Sequence, residues 1–136
     1  MIRLSRLTDY AVTLLTQMVS EGKGVWAASD LAARSGVPLP TVSKVLKQLA
    51  KAGILTAQRG ASGGYSLTRP VAAISVAAIV EALEGPIAIT DCADGSDHDC
   101  RIQSVCPMSG GWNKVNHAVR QALETISLAD MGKASL

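Results

Sequence analysis

Apolar residues recur with a helical period at the start of the chain. In residues 5–20 they fall at intervals of three and four, and they are Leu7, Ala11, Leu14, Leu15 and Met18. This spacing places them on one face of an amphipathic helix. Gly22 and Gly24 follow and are expected to end that helix.

The next segment predicts two further helices. A short one covers residues 30–34, with Ser29 as its N-cap. A longer one begins at Pro40 and ends at Gly53. Its apolar face consists of Val42, Val45, Leu46 and Leu49. Two helices joined by a short connection that contains glycine are typical of a helix-turn-helix.

The period changes from helical to strand-like after Gly53. Residues 54–58 and 65–68 predict two strands, and the glycine-rich residues 59–64 predict the turn between them. A β-hairpin directly after a helix-turn-helix is the wing of a winged-helix domain. The position and order of the elements therefore predict this fold more specifically than the hairpin alone.

The second half of the chain begins with a helix that Ser75 caps and Gly85 ends. Residues 87–108 show no period, whereas a long helix is expected from about Gly110 to Ala129. Its apolar residues repeat as a heptad seam: Trp112, Val115, Val119, Ala122, Ile126 and Ala129. The seam must pack either on its own domain or on a second copy. We expect the second copy, because helix-turn-helix proteins commonly read two half-sites as symmetric dimers.

The fold class is therefore expected to be mainly α, a winged helix-turn-helix with a two-stranded wing and a long C-terminal dimerisation helix. Three divisions follow along the chain: a DNA-binding domain over 1–86, a cysteine loop over 87–108 and the dimerisation helix over 109–131. The composition agrees, since 48% of residues are hydrophobic but only 3% are aromatic. A core of aliphatic residues and alanine favours helices over strands.

Charge is distributed unevenly between the two halves. Residues 1–70 carry nine Lys and Arg against three acidic residues, whereas residues 71–136 carry four against eight. The division suggests a nucleic-acid face on the first half, although two ordinary solvated surfaces would look similar. The N-terminus resembles no secretory signal and no apolar run is long enough to span a membrane, so a bacterial cytoplasmic location without membrane contact is expected.

The candidate DNA-binding residues lie in the third helix, the hairpin tip and the N-terminal arm. They are Arg3, Thr41, Ser43, Lys44, Lys47, Arg59, Gly60, Ser62, Gly63 and Gly64. The start of the second helix of a helix-turn-helix reaches base edges, and lysines at helical spacing contact phosphates. A solubilising face on a core helix is the plainer alternative. No Ser-His-Asp set, phosphate-binding loop or apolar carboxylate pair can be placed, so we expect neither an enzyme nor a small-molecule substrate.

Three cysteines lie in the loop, with seven residues between Cys92 and Cys100 and five between Cys100 and Cys106. The spacing differs from that of a zinc ribbon, and an odd number in a reducing compartment disfavours a disulfide framework. Thiolates suit soft metals and iron–sulfur clusters, which normally take four ligands. Small buried or inert thiols remain the alternative.

Taken together, the chain resembles the Rrf2 family of winged-helix regulators. The resemblance is carried by residues 3–12, 53–55, 59–67, 74–76 and 81–86 and by the three cysteines. Residues 3–12 and the tail 123–131 are most similar to the branch that regulates SUF iron–sulfur assembly. The family implies a homodimer on double-stranded operator DNA, and a cluster on Cys92, Cys100 and Cys106 whose occupancy changes operator affinity.

The resemblance leaves the fourth ligand and the cluster type open. IscR-like members place a His three residues after the last cysteine, where this chain has Ser109. NsrR-like members use an Asp in the first helix of the other protomer, and Asp9 stands at the matching place, which makes it the preferred candidate. His98 and His117 are rivals, and the cluster is either [2Fe-2S] or [4Fe-4S].

Two other functions remain open. One is a family regulator without a cluster, controlled by thiol oxidation or by a partner protein. The other is an iron–sulfur carrier with an incidental winged domain.

Overall fold

The computed structural model describes residues 1–20 and 24–133. Within these ranges, six α-helices and a two-stranded antiparallel sheet follow in the order α1 Arg6–Ser20, α2 Ala28–Ser35, α3 Leu39–Lys51, β1 Leu55–Gln58, β2 Gly64–Leu67, α4 Val76–Glu84, α5 Trp112–Thr125 and α6 Leu128–Lys133. The mainly helical class and the two-stranded wing are as predicted. Gly22, expected near the end of the first helix, lies outside the described residues, as do Glu21 and Lys23. No helix of the described ranges is long and apolar enough to cross a membrane.

The amphipathic pattern of the first helix is confirmed. Ser5 caps α1, since its Oγ accepts from the backbone N–H of Thr8 at 3.1 Å. The predicted apolar positions Ala11, Leu14, Leu15 and Met18 are all buried, while Leu7 packs at the margin of the core. This buried face meets α2, α3, α4 and α6, so α1 lies at the centre of the domain.

Helix α2 begins earlier than predicted. Its N-cap is Ala27, in extended conformation and without a side-chain cap, so the prediction that Ser29 caps it is wrong. The reason is tertiary, because Trp26 forms a backbone bridge with Tyr65 and holds the chain extended up to Ala27. The helix starts where that pairing ends. Gly36 ends it with a φ of 77°, a left-handed conformation that favours glycine.

Helix α3 follows the prediction closely. Pro40 lies in its first turn, and its buried face is the predicted set Val42, Val45, Leu46 and Leu49. The wing then pairs in antiparallel register, with Leu55 opposite Leu67. Leu55 is buried in the core together with the neighbouring Ile54, which anchors the base of the wing to the helices.

The predicted single helix from Gly110 to Ala129 is wrong at its C-terminal end. Helix α5 stops at Thr125, and Ile126 is extended, with a φ of −100° and a ψ of 121°. The carbonyl of Ile126 accepts from the N–H of Val76, and the N–H of Leu128 donates to the carbonyl of Ile74, both at 2.8 Å. These bonds to the start of α4 break the helix and bury Leu128 in the core.

The apolar seam of α5 lies largely in solvent in the single chain. Trp112 is 42% exposed and Val115 43%, and Ile126, directly after the end of α5, is 42% exposed. The helix instead turns Asn116 toward its own domain, and Asn116 is the one fully buried side chain of α5. The seam therefore remains available for packing that a single chain does not provide.

Candidate nucleic-acid interface and cysteine loop

The charged residues of α3 are all basic. The helix contains no acidic residue. Lys44, Lys47 and Lys51 are exposed, and none forms an ion pair within residues 1–20 and 24–133. Such lysines remain able to neutralise phosphates. The face opposite the buried residues of α3 is thus suited to an anionic partner.

The start of α3 lies beside the N-terminal arm. Thr41 and Pro38 line an open cleft of about 970 Å³ together with Arg3, Arg6 and Asp9. Thr41 and Ser43 are half-buried, whereas both arginines are exposed. The structure therefore brings the predicted Arg3 and Thr41 to one surface. Arg6 was missed by the sequence interpretation, although its position three residues after Arg3 was an available signal.

The turn of the wing places Arg59, Gly60 and Ser62 in solvent. Gly60 has a φ of 107° and open space around its Cα. Such a position permits close backbone approach to a partner. A Cβ on Gly63, by contrast, would lie 2.3 Å from the carbonyl oxygen of Gln58. Gly63 and Gly64 are predicted DNA-binding residues. The fold of the wing itself already requires glycine at both positions, because a side chain would collide with backbone atoms.

Trp26 is the anchor of the wing and was missed by the sequence interpretation. Its backbone N–H donates to the carbonyl of Tyr65, and the Tyr65 N–H donates back, both at 2.8 Å. Its ring is fully buried, with the Arg34 guanidinium 5.4 Å from the ring centroid. Trp26 therefore adds a second pairing, a single bridge to β2, to the pairing of β1 with β2. A lone Trp between two helices gives no local signal for this role.

The cysteine loop consists of two differently held parts. Residues 87–94 are bound to α5, since Asn116 Oδ1 accepts from the N–H of Ile89 at 2.9 Å and Asn116 Nδ2 donates to the carbonyl of Ile87 at 3.1 Å. Residues 97–110 are held by hydrogen bonds between near neighbours, such as Gln103 N–H to the carbonyl of Cys100 at 3.3 Å. Cys92 thus lies in the anchored part of the loop, and Cys100 and Cys106 in the locally folded part.

The three thiols are free and half-buried. The Sγ of Cys92 lies 3.4 Å from the Oγ1 of Thr90, and the other two thiols lie among exposed residues. In the part of the chain that the structure describes, no three His, Cys, Asp or Glu side chains are gathered closely enough to hold a metal ion. The donor types fit an iron–sulfur cluster, but the single chain does not assemble them.

The three candidates for a fourth ligand lie apart. Asp9 is exposed on α1 in the cleft beside Arg3. His98 is exposed in the loop, with its Nε2 3.6 Å from Asp97 Oδ1, and His117 is exposed on α5. None of these positions excludes a ligand contributed across a dimer, which is the arrangement that the resemblance implies for Asp9.

Comparison with known proteins agrees with this architecture. The sequence profile of the Rrf2 family, described as an iron-dependent transcriptional regulator, matches residues 4–134. The ORF2 protein of Azotobacter vinelandii, named as an HTH-type transcriptional regulator, is 31% identical over 131 residues, covering 96% of this chain and 79% of that protein. Protein aau3 of Rhizobium meliloti is 28% identical over 133 residues, covering 98% and 86%.

Solved structures show the same fold. CymR, the global cysteine regulator of B. subtilis, superposes with a TM-score of 0.74 at 23% identity over the full length of both chains. IscR of T. potens superposes with a TM-score of 0.70 at 28% identity, covering 99% of this chain and 89% of that one. The chain forms a helical domain with a basic α3 and a two-stranded wing, and the family profile matches nearly its whole length. The chain therefore belongs to the Rrf2 family and is a DNA-binding transcriptional regulator, not an enzyme.

Proposed function

We propose that the chain binds operator DNA as a homodimer and that its cysteine loop senses iron–sulfur status or redox stress. The observation that carries this proposal is the basic face of α3, free of acidic residues, followed in the same domain by an exposed Arg59 and Gly60 at the wing. A recognition helix supplies base and phosphate contacts, and a wing adds contacts beside it. The candidate residues are those predicted from the sequence, with Arg6 added by the cleft geometry.

The dimer is proposed to form through the apolar seam of α5. Trp112, Val115 and Ile126 are each more than 40% exposed. Exposed apolar stripes at heptad spacing are stabilised by a second helix of the same pattern. A symmetric pair of α3 helices would then face two half-sites of one operator.

The loop is proposed to hold an iron–sulfur cluster on Cys92, Cys100 and Cys106, with Asp9 contributed by the other protomer. The three thiols supply the soft donors, and the carboxylate supplies the harder fourth donor. When bound, such a group supplies chemistry that responds to oxidant, nitric oxide or iron loss. Asp9 lies in the cleft with Arg3 and Thr41, so its engagement would bear directly on the surface proposed to read DNA.

The regulated genes are proposed to include those of SUF iron–sulfur assembly. Support comes from the resemblance of residues 3–12 and 123–131 to that branch of the family. The family description as iron-dependent regulators agrees with a target of this kind. We expect the protein to protect the promoter of such genes in a footprinting experiment. A variant with both Lys44 and Lys47 replaced should lose this protection.

Purification without oxygen tests the cluster. We expect a coloured dimer with visible absorbance, and iron and sulfide in stoichiometric amounts. Replacing Cys92, Cys100 and Cys106 with serine should abolish the absorbance and shift operator affinity to that of the iron-free protein. A colourless protein without iron, whose serine variant still controls its promoter normally in cells, would contradict the sensing proposal and leave DNA binding intact.

A second candidate is control by thiol oxidation without a cluster. It is favoured by the free thiols that the single chain leaves ungathered. A solved relative, CymR of Staphylococcus aureus, is described in an oxidised form, and it superposes with a TM-score of 0.72 at 24% identity. Peroxide treatment of iron-free protein separates the two candidates, since only the second expects a reversible change in operator affinity there.

A further inference from the structure

The buried face of α5 is polar at its centre. Asn116 is only 4% exposed and is the one fully buried residue of that helix. A buried side-chain amide is costly unless its donors and acceptor are satisfied. The hydrogen-bond partners of Asn116 therefore identify the segment that this side chain holds in place.

The amide of Asn116 binds the loop backbone at three points. Its Oδ1 accepts from the N–H of Ile89 at 2.9 Å. Its Nδ2 donates to the carbonyl of Ile87 at 3.1 Å and to the carbonyl of Asp94 at 3.3 Å. Asn113, three residues earlier and so on the same helix face, accepts through Oδ1 from the N–H of Asp94 at 2.8 Å.

These bonds bracket Cys92. Residues 87 and 89 are bound before it and residue 94 after it, and the adjacent Ala93 is 4% exposed. No comparable tie to a helix holds Cys100 or Cys106, whose backbone bonds within the described residues run to near neighbours. The chain thus fixes one of its three thiol positions to α5 and leaves the other two adjustable.

We infer that Asn116, assisted by Asn113, is a positioning residue that fixes Cys92 on the dimerisation helix α5. Cys92 is then the preformed ligand, and Cys100 and Cys106 move to complete the set. Because the amides of Asn116 and Asn113 connect the two, a movement of the segment around Cys92 would be transmitted to α5. The inference rests on the proposed role of the cysteine loop, but the positioning itself is measurable on iron-free protein.

The test compares Asn116→Leu with Gln121→Leu in the reduced, iron-free, full-length protein. Leucine matches the shape of asparagine but makes no hydrogen bond, and Gln121 is an exposed residue of the same helix. Peptide-resolved alkylation with iodoacetamide follows each thiol, and hydrogen exchange follows the amide of Asp94. Circular dichroism verifies that the variants keep their helices.

Asn116→Leu is expected to speed Cys92 alkylation and Asp94 exchange by roughly tenfold or more, since three hydrogen bonds of about 1 kcal/mol each are lost. The rates of Cys100 and Cys106 should stay within about twofold, on the same reasoning, because they lose no bond. The N–H of Asp94 donates to Asn113, which the Asn116→Leu substitution leaves in place. Faster exchange of this N–H would therefore report that the whole segment has loosened from α5.

An unchanged Cys92 rate, an equal rise at all three thiols, or the same rise in Gln121→Leu would each overturn the inference. A failure to load iron and sulfide would overturn the cluster proposal instead. The two failures are distinguishable, because the alkylation and exchange rates are measured without metal.

Discussion

Gly64 has no room for a side chain. A Cβ there would lie 2.3 Å from the carbonyl oxygen of Trp26, and its φ of 153° is rarely adopted by other residues. Gly63 and Gly64 are predicted DNA contacts because glycine permits close approach. The structure adds that the approaching backbone is the chain's own, which sequence reasoning could not reveal without knowing that Trp26 pairs with the wing.

Gly64→Ala is expected to destabilise the domain by about 2 kcal/mol, because the added methyl group would force the Trp26 pairing apart. Denaturant unfolding measures the change. Gly24→Ala is the matched control, since a Cβ at Gly24 meets nothing within 4 Å. Equal stability of the two variants would show that the close approach has no energetic consequence.

Thr8 ties the start of α1 to the end of α4. Its side chain is fully buried, and its Oγ1 donates to Glu84 Oε2 at 2.6 Å. The hydroxyl also lies 2.9 Å from the Ser5 Oγ. Glu84 immediately precedes the Gly85 that leads into the cysteine loop. A threonine in a first helical turn has no sequence pattern that reveals a partner 76 residues away, so this role of Thr8 could not be predicted.

Thr8→Val removes this hydroxyl while keeping the shape of the side chain. We expect a loss of about 1 kcal/mol in the free energy of unfolding, since the Glu84 carboxylate is exposed and regains water. Thermal unfolding measures the change. Thr13→Val is the control, because the exposed hydroxyl of Thr13 bonds only within α1. A larger loss in Thr13→Val would contradict the assigned contact.

At the scale of elements, the apolar periodicity correctly predicted α1, α3 and α4 because each buries a regular face against the others. The N-cap of α4 was also predicted, since Ser75 Oγ accepts from the N–H of Ala78 at 3.1 Å. The errors lie at the start of α2 and the end of α5. In both places the boundary is set by a backbone bridge to a distant segment, Trp26 to Tyr65 and Ser75 to Ser127.

The basic face of α3 permits a prediction for DNA binding. Lys47→Gln is expected to weaken operator and non-operator DNA alike and to lower the slope of log affinity against log salt by about 1, as for one lost phosphate contact. Electrophoretic mobility shifts across a salt series measure it. Lys114→Gln, which removes a lysine exposed on α5, should leave the slope unchanged; a matching loss there would indicate a diffuse charge effect.

At the scale of the whole molecule, α5 presents two separate faces. Asn116 and Leu123 turn toward the domain, and Arg120 bonds Glu81 of α4 at 2.6 Å. The apolar seam lies about a quarter turn away, as the helical period of 3.6 residues dictates. Ile102, Val105 and Met108 of the cysteine loop are also exposed. The seam is the apolar surface that the proposed dimer would cover.

Val115→Glu is expected to raise the dissociation constant of the proposed dimer by roughly 30-fold, which corresponds to about 2 kcal/mol for a disrupted central contact. Analytical ultracentrifugation gives the constant. Gln121→Glu adds the same charge on the solvent face of α5 and should leave it unchanged. A dimer that tolerates Val115→Glu would place the interface elsewhere.

The sequence by itself determined the helix-turn-helix, the wing and the three-cysteine loop, because periodicity, turn residues and residue chemistry are local properties of a chain. Tertiary structure decided which backbone groups meet across long separations: Trp26 with the wing, Ser127 with the start of α4, and Asn116 with the segment around Cys92. The physical reason is that a buried hydrogen bond depends on where two distant segments come to lie, and no local pattern encodes that distance.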